Sequence, residues 1–191
     1  MSVDERMVHD IVQKVMANMQ ISGSVSGMHG VFKDMNDAIN ASIEAQKKVC
    51  TMTLDQREQI ISLIRKKTHE NAEILANMGV NETGMGNVGD KILKHHLTAD
   101  KVPGTEDIST IAWSGDRGLT LVEMGPFGVI GAITPATNPS ETVICNCIGM
   151  LAGGNTVVFN PHPNAKKTTI YTINMINEAS IEAGGPDNIA V

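Results

Sequence analysis

The chain has 191 residues, 41% hydrophobic and 19% charged, with 15 Lys+Arg against 21 Asp+Glu for a net charge of −6. That length carries one domain with a full hydrophobic core, and the acidic balance with 3% aromatic residues excludes nucleic acid as the main partner. No apolar run reaches the ~18 residues a membrane span needs, residues 1–20 carry scattered charges where a secretory signal needs an unbroken apolar core, and three cysteines, Cys50, Cys145 and Cys147, point to reduced cytoplasmic thiols.

Val3, Met7, Val8, Ile11, Val12, Val15, Met16 and Met19 form one helical stripe, with Glu5, Arg6, Asp10, Gln13, Lys14 and Asn18 on the other face. A Gly/Ser-rich stretch follows, so residues 1–20 are expected as an amphipathic helix and 21–31 as a flexible linker. A tethered helix buries its stripe in a partner's groove or folds back on its own domain. From residue 32 to 191 the sequence reads as the domain itself.

Met35 to Val49 and Leu54 to Met78 each read as a helix, with Asp34 or Asn36 capping the first and a Thr53/Gln56 capping box opening the second. Gly84-Met-Gly-Asn-Val-Gly89 matches the G-x-G-x-x-G pattern but follows a helix where a phosphate loop follows a strand, so it reads as a connection. His95 and His96 are neighbours on a helix and point ~100° apart, which keeps them from sharing a metal. No metal site is expected.

Leu119 to Met124 reads as a strand, Gly125-Pro-Phe-Gly128 as a turn, and Val129 to Thr134 as a near-continuous apolar strand of the kind a parallel sheet covers on both faces. Pro139 to Leu151 reads as a helix, Thr156 to Phe159 as a strand, Ala165 to Ala183 as a helix and Ile189 to Val191 as the start of another strand. Two βαβ units follow, the beginning of a doubly wound α/β sheet. A sheet needs neighbouring strands to satisfy its backbone groups, so the expectation is an incomplete domain.

Ligands of such sheets bind at the carboxyl ends of the strands, where Thr134-Pro-Ala-Thr-Asn-Pro139 lies. There Asn138 either caps the helix that Pro139 opens or donates its amide to a developing oxyanion. Asn160-Pro-His-Pro163 occupies the equivalent place after the next strand, as a nucleotide contact or a rigid turn. Lys166 and Lys167 in a first helical turn oppose the helix dipole, which favours a nearby anion or leaves a solvated pair. Cys145 and Cys147 read as core cysteines, with no further ligands at zinc spacing.

Asn81-Glu-Thr-Gly-Met-Gly86, Gly125-Pro-Phe-Gly-Val-Ile-Gly-Ala-Ile-Thr-Pro-Ala-Thr-Asn-Pro139 and Gly154-Asn-Thr-Val-Val-Phe-Asn-Pro-His-Pro163 resemble the aldehyde dehydrogenase superfamily. Within it they are most similar to the CoA-acylating enzymes of bacterial microcompartments, over about Phe32 to Val191. The resemblance implies a Rossmann-like nucleotide-binding domain and NAD-dependent oxidation of acetaldehyde or propionaldehyde, through a cysteine thioester, to the acyl-CoA. It implies that Asn138 is the oxyanion donor, that Thr134, Pro135, Ala136 and Thr137 pass the nicotinamide side of NAD, and that Asn160, Pro161, His162 and Pro163 lie at its adenosine. General aldehyde dehydrogenases carry Lys-Pro-Ser-Glu at this last motif. The family's nucleophilic cysteine lies beyond Val191, so the chain is expected to be inactive alone. The resemblance further implies a homo-oligomer in the full-length enzyme, a cytoplasmic place in the microcompartment lumen, and residues 1–20 as the segment that meets shell proteins. A non-catalytic cargo adaptor and a piece of a non-CoA-acylating aldehyde dehydrogenase are the alternatives.

Overall fold

A computed structural model describes residues 27–191; the helix expected over 1–20 lies outside the described residues, as does most of the linker. His29 and Gly30, within the stretch read as linker, are anchored. The His29 amide donates to Asn174 Oδ1 at 2.8 Å and its Nδ1 meets Asp187 Oδ2 at 2.8 Å. Gly30 is buried at φ +74°, where a Cβ would collide with the Ala190 carbonyl and the Asn177 side chain, so only glycine fits.

Helix α1 spans Met35–Val49, and Asp34 caps it by accepting from the amides of Asn36 and Asp37. Helix α2 spans Leu54–Glu70 and opens with the Thr53/Gln56 capping box. The single helix expected from Leu54 to Met78 is two: α2 ends at Asn71, and α3 runs Ala72–Thr83. Asn71 breaks the run by turning its Nδ2 back onto the Lys67 carbonyl (2.8 Å) while its Oδ1 accepts from Tyr171 (3.0 Å). Gly84, at φ +68°, closes α3, and the glycine-rich stretch is the expected connection to α4, Val88–Lys101.

Two arginines of α2 cap other helices. Arg57 donates to the Ala152 carbonyl at 2.5 Å, and Arg65 donates to the carbonyls of Ala99 (3.3 Å) and Val102 (3.0 Å). Each brings a cation to a helix C-terminus, where unpaired carbonyls gather negative charge.

Strand β1, Ile111–Gly115, and strand β2, Gly118–Val122, form an antiparallel hairpin in a sheet of their own. The sequence reading placed β2 without its partner. Strand β3, Val129–Thr134, pairs in parallel with β4, Thr156–Pro161, from Val129↔Thr156 to Thr134↔Pro161. Helix α5, Pro139–Ala152, connects them, and α6, Lys166–Glu182, leads to Ile189–Val191 on the other side of β4. There Val157 donates to Ile189 (3.0 Å), Val191 to Val157 (2.9 Å) and Phe159 to Val191 (2.7 Å). These are the two βαβ units read from the pattern.

The main core joins Ile60, Ile61 and Ile64 of α2 to Ile144, Ile148 and Leu151 of α5, Ile176 of α6, and Val157 and Phe159 of β4. Val158 points the other way, onto Ala38 of α1. Strand β4 is therefore covered on both faces, the burial expected of β3. Strand β3 is not: Ala132 and Thr134 are buried while Gly131 and Ile133 are exposed, Ile133 at 85%. Its apolar run alternates in burial because α5 covers one face and α1 reaches only the Val129 end of the other.

Candidate active site

The parallel pairing puts Thr134 beside Pro161, and the His162 amide donates to the Thr134 carbonyl at 3.1 Å. The two loops singled out in the sequence, 134–138 and 160–163, are therefore neighbours at the carboxyl ends of β3 and β4. Asn155 fixes the entry to β3: its Oδ1 accepts from the amides of Phe127 (2.6 Å) and Gly128 (2.9 Å).

Asn138 holds the N-cap position of α5 but its side chain makes no capping bond. Its Oδ1 instead accepts from Lys94 Nζ at 3.0 Å and Lys91 Nζ at 3.3 Å. The choice left open by spacing thus resolves against the side-chain cap. Lys91 is buried against Glu141, Nζ to Oε1 at 3.0 Å with side chains 8% and 5% exposed, and donates to the Thr137 carbonyl at 2.6 Å. Behind this pair, Ser140 Oγ meets His95 Nε2 at 2.7 Å, and His95 Nδ1 meets the Lys91 carbonyl at 2.7 Å. Burial holds the His95 imidazole below its ordinary pKa, with Glu141 and the Lys91 carbonyl pulling it up and the Lys91 ammonium and His96 pushing it down. His96 faces away and stacks on His69, so the adjacent histidines do diverge.

Sequence reasoning missed Lys91 and Glu141, and it missed Glu82. The Glu82 carboxylate accepts from the amides of Lys167 and Thr168 and from Thr168 Oγ1, each at 2.7 Å. An anion does lie at this helix end, the chain's own carboxylate, held by backbone amides and the Thr168 hydroxyl and not by the lysine side chains. His162 is exposed, and its Nδ1 accepts from the Asn164 amide at 3.1 Å, as a turn cap does.

A pocket of about 260 Å³ lies beside β4, lined by Asn160, Pro161, Lys166, Thr169, Ile173 and Val191 together with the 30–35 segment. That is at the small end of ligand sites, which run ~300–1,000 Å³, and suits one ring system. Two buried hydroxyls, Thr134 Oγ1 and Thr169 Oγ1, have no hydrogen-bond partner among the described residues. One ends β3 and the other lines the pocket. Both are enclosed by protein, Thr134 at 2% and Thr169 at 0% exposure, and Thr134 lies outside the pocket lining.

Cys50 is exposed but lies by the Gly154 carbonyl, away from the carboxyl ends of the strands, and the two thiols of α5 offer no nucleophile. Burial pushes Cys147 up to about 12, and burial raises Cys145 against a hydrogen bond from Thr98. A thiol so raised holds almost no thiolate at neutral pH. Among the described residues no cluster of three or more His, Cys, Asp or Glu could hold a metal ion.

The aldehyde dehydrogenase family profile matches residues 15–189. The chain belongs to the aldehyde dehydrogenase family. An acetylating acetaldehyde dehydrogenase of Bilophila wadsworthia is 46% identical over 98% of this chain and 40% of its own length. A CoA-propanoylating propanal dehydrogenase of Salmonella typhimurium is 43% identical over 85% of this chain and 35% of its own. The structure of a propionaldehyde dehydrogenase from the fucose utilisation bacterial microcompartment of Clostridium phytofermentans superposes with a TM-score of 0.84 at 74% identity, covering 85% of this chain and 37% of that one. A propionaldehyde dehydrogenase of Rhodopseudomonas palustris, solved with CoA and an acylated cysteine, superposes at 0.82 with 46% identity, over 85% and 37%. The similarity is thus to CoA-acylating, microcompartment-type members of the aldehyde dehydrogenase family, and the α/β fold is the Rossmann-like fold of that family. The chain spans about 40% of the length of its curated relatives.

Proposed function

We propose that this chain works within an NAD-dependent, CoA-acylating aldehyde dehydrogenase that converts acetaldehyde or propionaldehyde to its acyl-CoA. The observation that carries the proposal is Asn138: its oxygen is occupied by two ammonium groups at the carboxyl end of β3, which leaves its amide protons free to donate. A preset donor of this kind stabilises charge as it develops on the aldehyde oxygen. NAD, when bound, accepts the hydride from the aldehyde carbon. Thr134, Pro135, Ala136 and Thr137 would border its nicotinamide side, and Asn160, Pro161, His162 and Pro163 its adenosine, a course supported by the adjacency of the two loops and by the pocket that Asn160 and Pro161 line. With Glu82 filling the first turn of α6, the nucleotide phosphates belong elsewhere than that helix end.

The nucleophilic thiol is placed outside residues 27–191, because burial raises Cys145 and Cys147 and Cys50 lies by the Gly154 carbonyl, before the start of β4 and at the opposite end of the sheet from Asn138. On this reading the chain alone does not turn over. We further propose that residues 1–20 bind shell proteins as an amphipathic helix, that the enzyme sits in a cytoplasmic microcompartment lumen, and that it self-associates through the β1–β2 hairpin. Both faces of that hairpin are apolar and exposed, with Ile111, Trp113 and Val122 on one and Leu119 and Leu121 on the other.

CoA-dependent NADH formation from acetaldehyde tests the reading. The 191-residue chain should give none, and a protein extended to the relatives' length should turn over. In the extended protein Asn138→Ala should lower kcat by roughly 10²–10³-fold, the effect of removing one oxyanion donor. An unchanged kcat would sink the assignment.

A further inference from the structure

Asn138 Oδ1 faces only ammonium groups, Lys94 Nζ at 3.0 Å and Lys91 Nζ at 3.3 Å. Ammonium groups donate and never accept, so the atom turned toward them is the oxygen, and its two lone pairs are both used. Lys91 is equally saturated. Its three N–H groups meet three acceptors, the Thr137 carbonyl (2.6 Å), Glu141 Oε1 (3.0 Å) and Asn138 Oδ1 (3.3 Å). Behind Glu141, Ser140 Oγ lies between Glu141 Oε2 (3.2 Å) and His95 Nε2 (2.7 Å), its one proton serving the nearer, and His95 Nδ1 meets the Lys91 carbonyl at 2.7 Å. Lys91 therefore has nowhere to swing, while Lys94 reaches Asn138 from the exposed side of α4.

We propose that Lys91 and Lys94 are positioning residues that lock the Asn138 carboxamide, oxygen inward and Nδ2 outward, and sharpen its N–H groups as donors. The catalytic consequence rests on the reading of Asn138 as oxyanion donor. Charge on the amide oxygen draws electron density from nitrogen, which strengthens the partial C–N double bond and makes the N–H groups better donors. A neutral neighbour in place of Lys94 would leave one lone pair free, weaken the partial C–N double bond and so lower the barrier to rotation about it.

The lock is tested without any aldehyde chemistry, on the 191-residue chain labelled with ¹⁵N-asparagine. The Asn138 carboxamide pair is assigned by its loss in Asn138→Asp, and exchange between its two protons reports rotation about C–N. In Lys94→Met the rotation should be about tenfold faster than in wild type. Lys94→Arg should restore it to within about twofold, because the charge returns. Lys94 is exposed, so the fold is kept, and unmoved signals from Asn71 and Asn177 check it. A rotation rate unchanged in Lys94→Met, or one that Lys94→Arg leaves as fast as the Met variant, overturns the lock. In the extended protein the catalytic part predicts a fall in kcat of about tenfold for Lys94→Met with KM unchanged and rescue by arginine. If the lock holds and Asn138→Ala keeps full kcat, the oxyanion reading fails and the lock stands.

Discussion

Glu82 and Thr168, 86 residues apart in sequence, are joined by two 2.7 Å hydrogen bonds from the Thr168 amide and hydroxyl to one carboxylate oxygen. The other oxygen takes the Lys167 amide at 2.7 Å. A carboxylate from α3 thereby satisfies the first turn of α6, in place of a capping residue from α6 itself. The arrangement ties the helical front of the chain to the edge of the pocket that Lys166 and Thr169 line.

Glu82→Ala should cost about 1–2 kcal/mol, the loss of a charge-assisted helix cap. Glu82→Gln should recover part of that, since one side-chain oxygen still accepts. Urea unfolding followed by circular dichroism measures both. If the alanine variant is as stable as wild type, the carboxylate does not hold α6.

Lys91 and Glu141 form a buried ion pair, and the expected cost of breaking it is asymmetric. Removing either partner alone, as in Lys91→Met or Glu141→Leu, leaves a buried charge uncompensated and should cost about 3–5 kcal/mol. Removing both together should cost much less than the sum, because neither charge remains. A double-mutant cycle in urea gives the coupling directly. Additive losses would mean that the two side chains act independently.

The hairpin carries the proposal of self-association. An isolated two-stranded ribbon is marginal in water, and this one keeps Trp113 at 58% and Leu121 at 60% exposure with free strand edges. Replacing Trp113 and Leu121 by serine should shift the protein toward the monomer in sedimentation equilibrium, with little change in unfolding free energy, since neither side chain is buried within the chain. Unchanged assembly would remove the hairpin from the interface.

The parallel strands were legible because their signals are local. The run Val129 to Thr134 and the Thr53/Gln56 capping box stand in the structure where the residues put them. The break at Asn71 was not legible, because it depends on Tyr171 a hundred residues on. The support of the site was hidden for the same reason. Lys91 finds Glu141 at a separation of 50 residues, and Glu82 finds Lys167 at 85. The one local sign was Glu141, a charge in the first turn of an otherwise apolar helix. Burial of β3 was overread, since an apolar run reports the composition of a strand and not which of its faces a helix reaches.

His95 makes stability depend on pH in a window whose sign follows from its burial. The Lys91 carbonyl can only accept, so Nδ1 carries the proton and Nε2 takes the Ser140 hydroxyl. A protonated ring would be a buried cation beside Lys91, a desolvation cost that the Glu141 carboxylate offsets only in part. Folding therefore lowers the pKa below the ordinary value of 6.5. Above that value the ring is neutral in both states and contributes no slope. As pH falls below it, the unfolded chain takes up a proton that the folded chain refuses, so stability drops until the folded pKa is reached. Comparing urea unfolding of wild type and His95→Gln at pH 7.5 and pH 5.5 isolates the contribution. Wild type should lose more stability than the variant between the two. The variant itself should be less stable at pH 7.5, because glutamine cannot close the ring from Ser140 to the Lys91 carbonyl. Equal losses in both proteins would show that His95 protonates as readily in the folded chain as in the unfolded one, and would place the pH dependence on other groups.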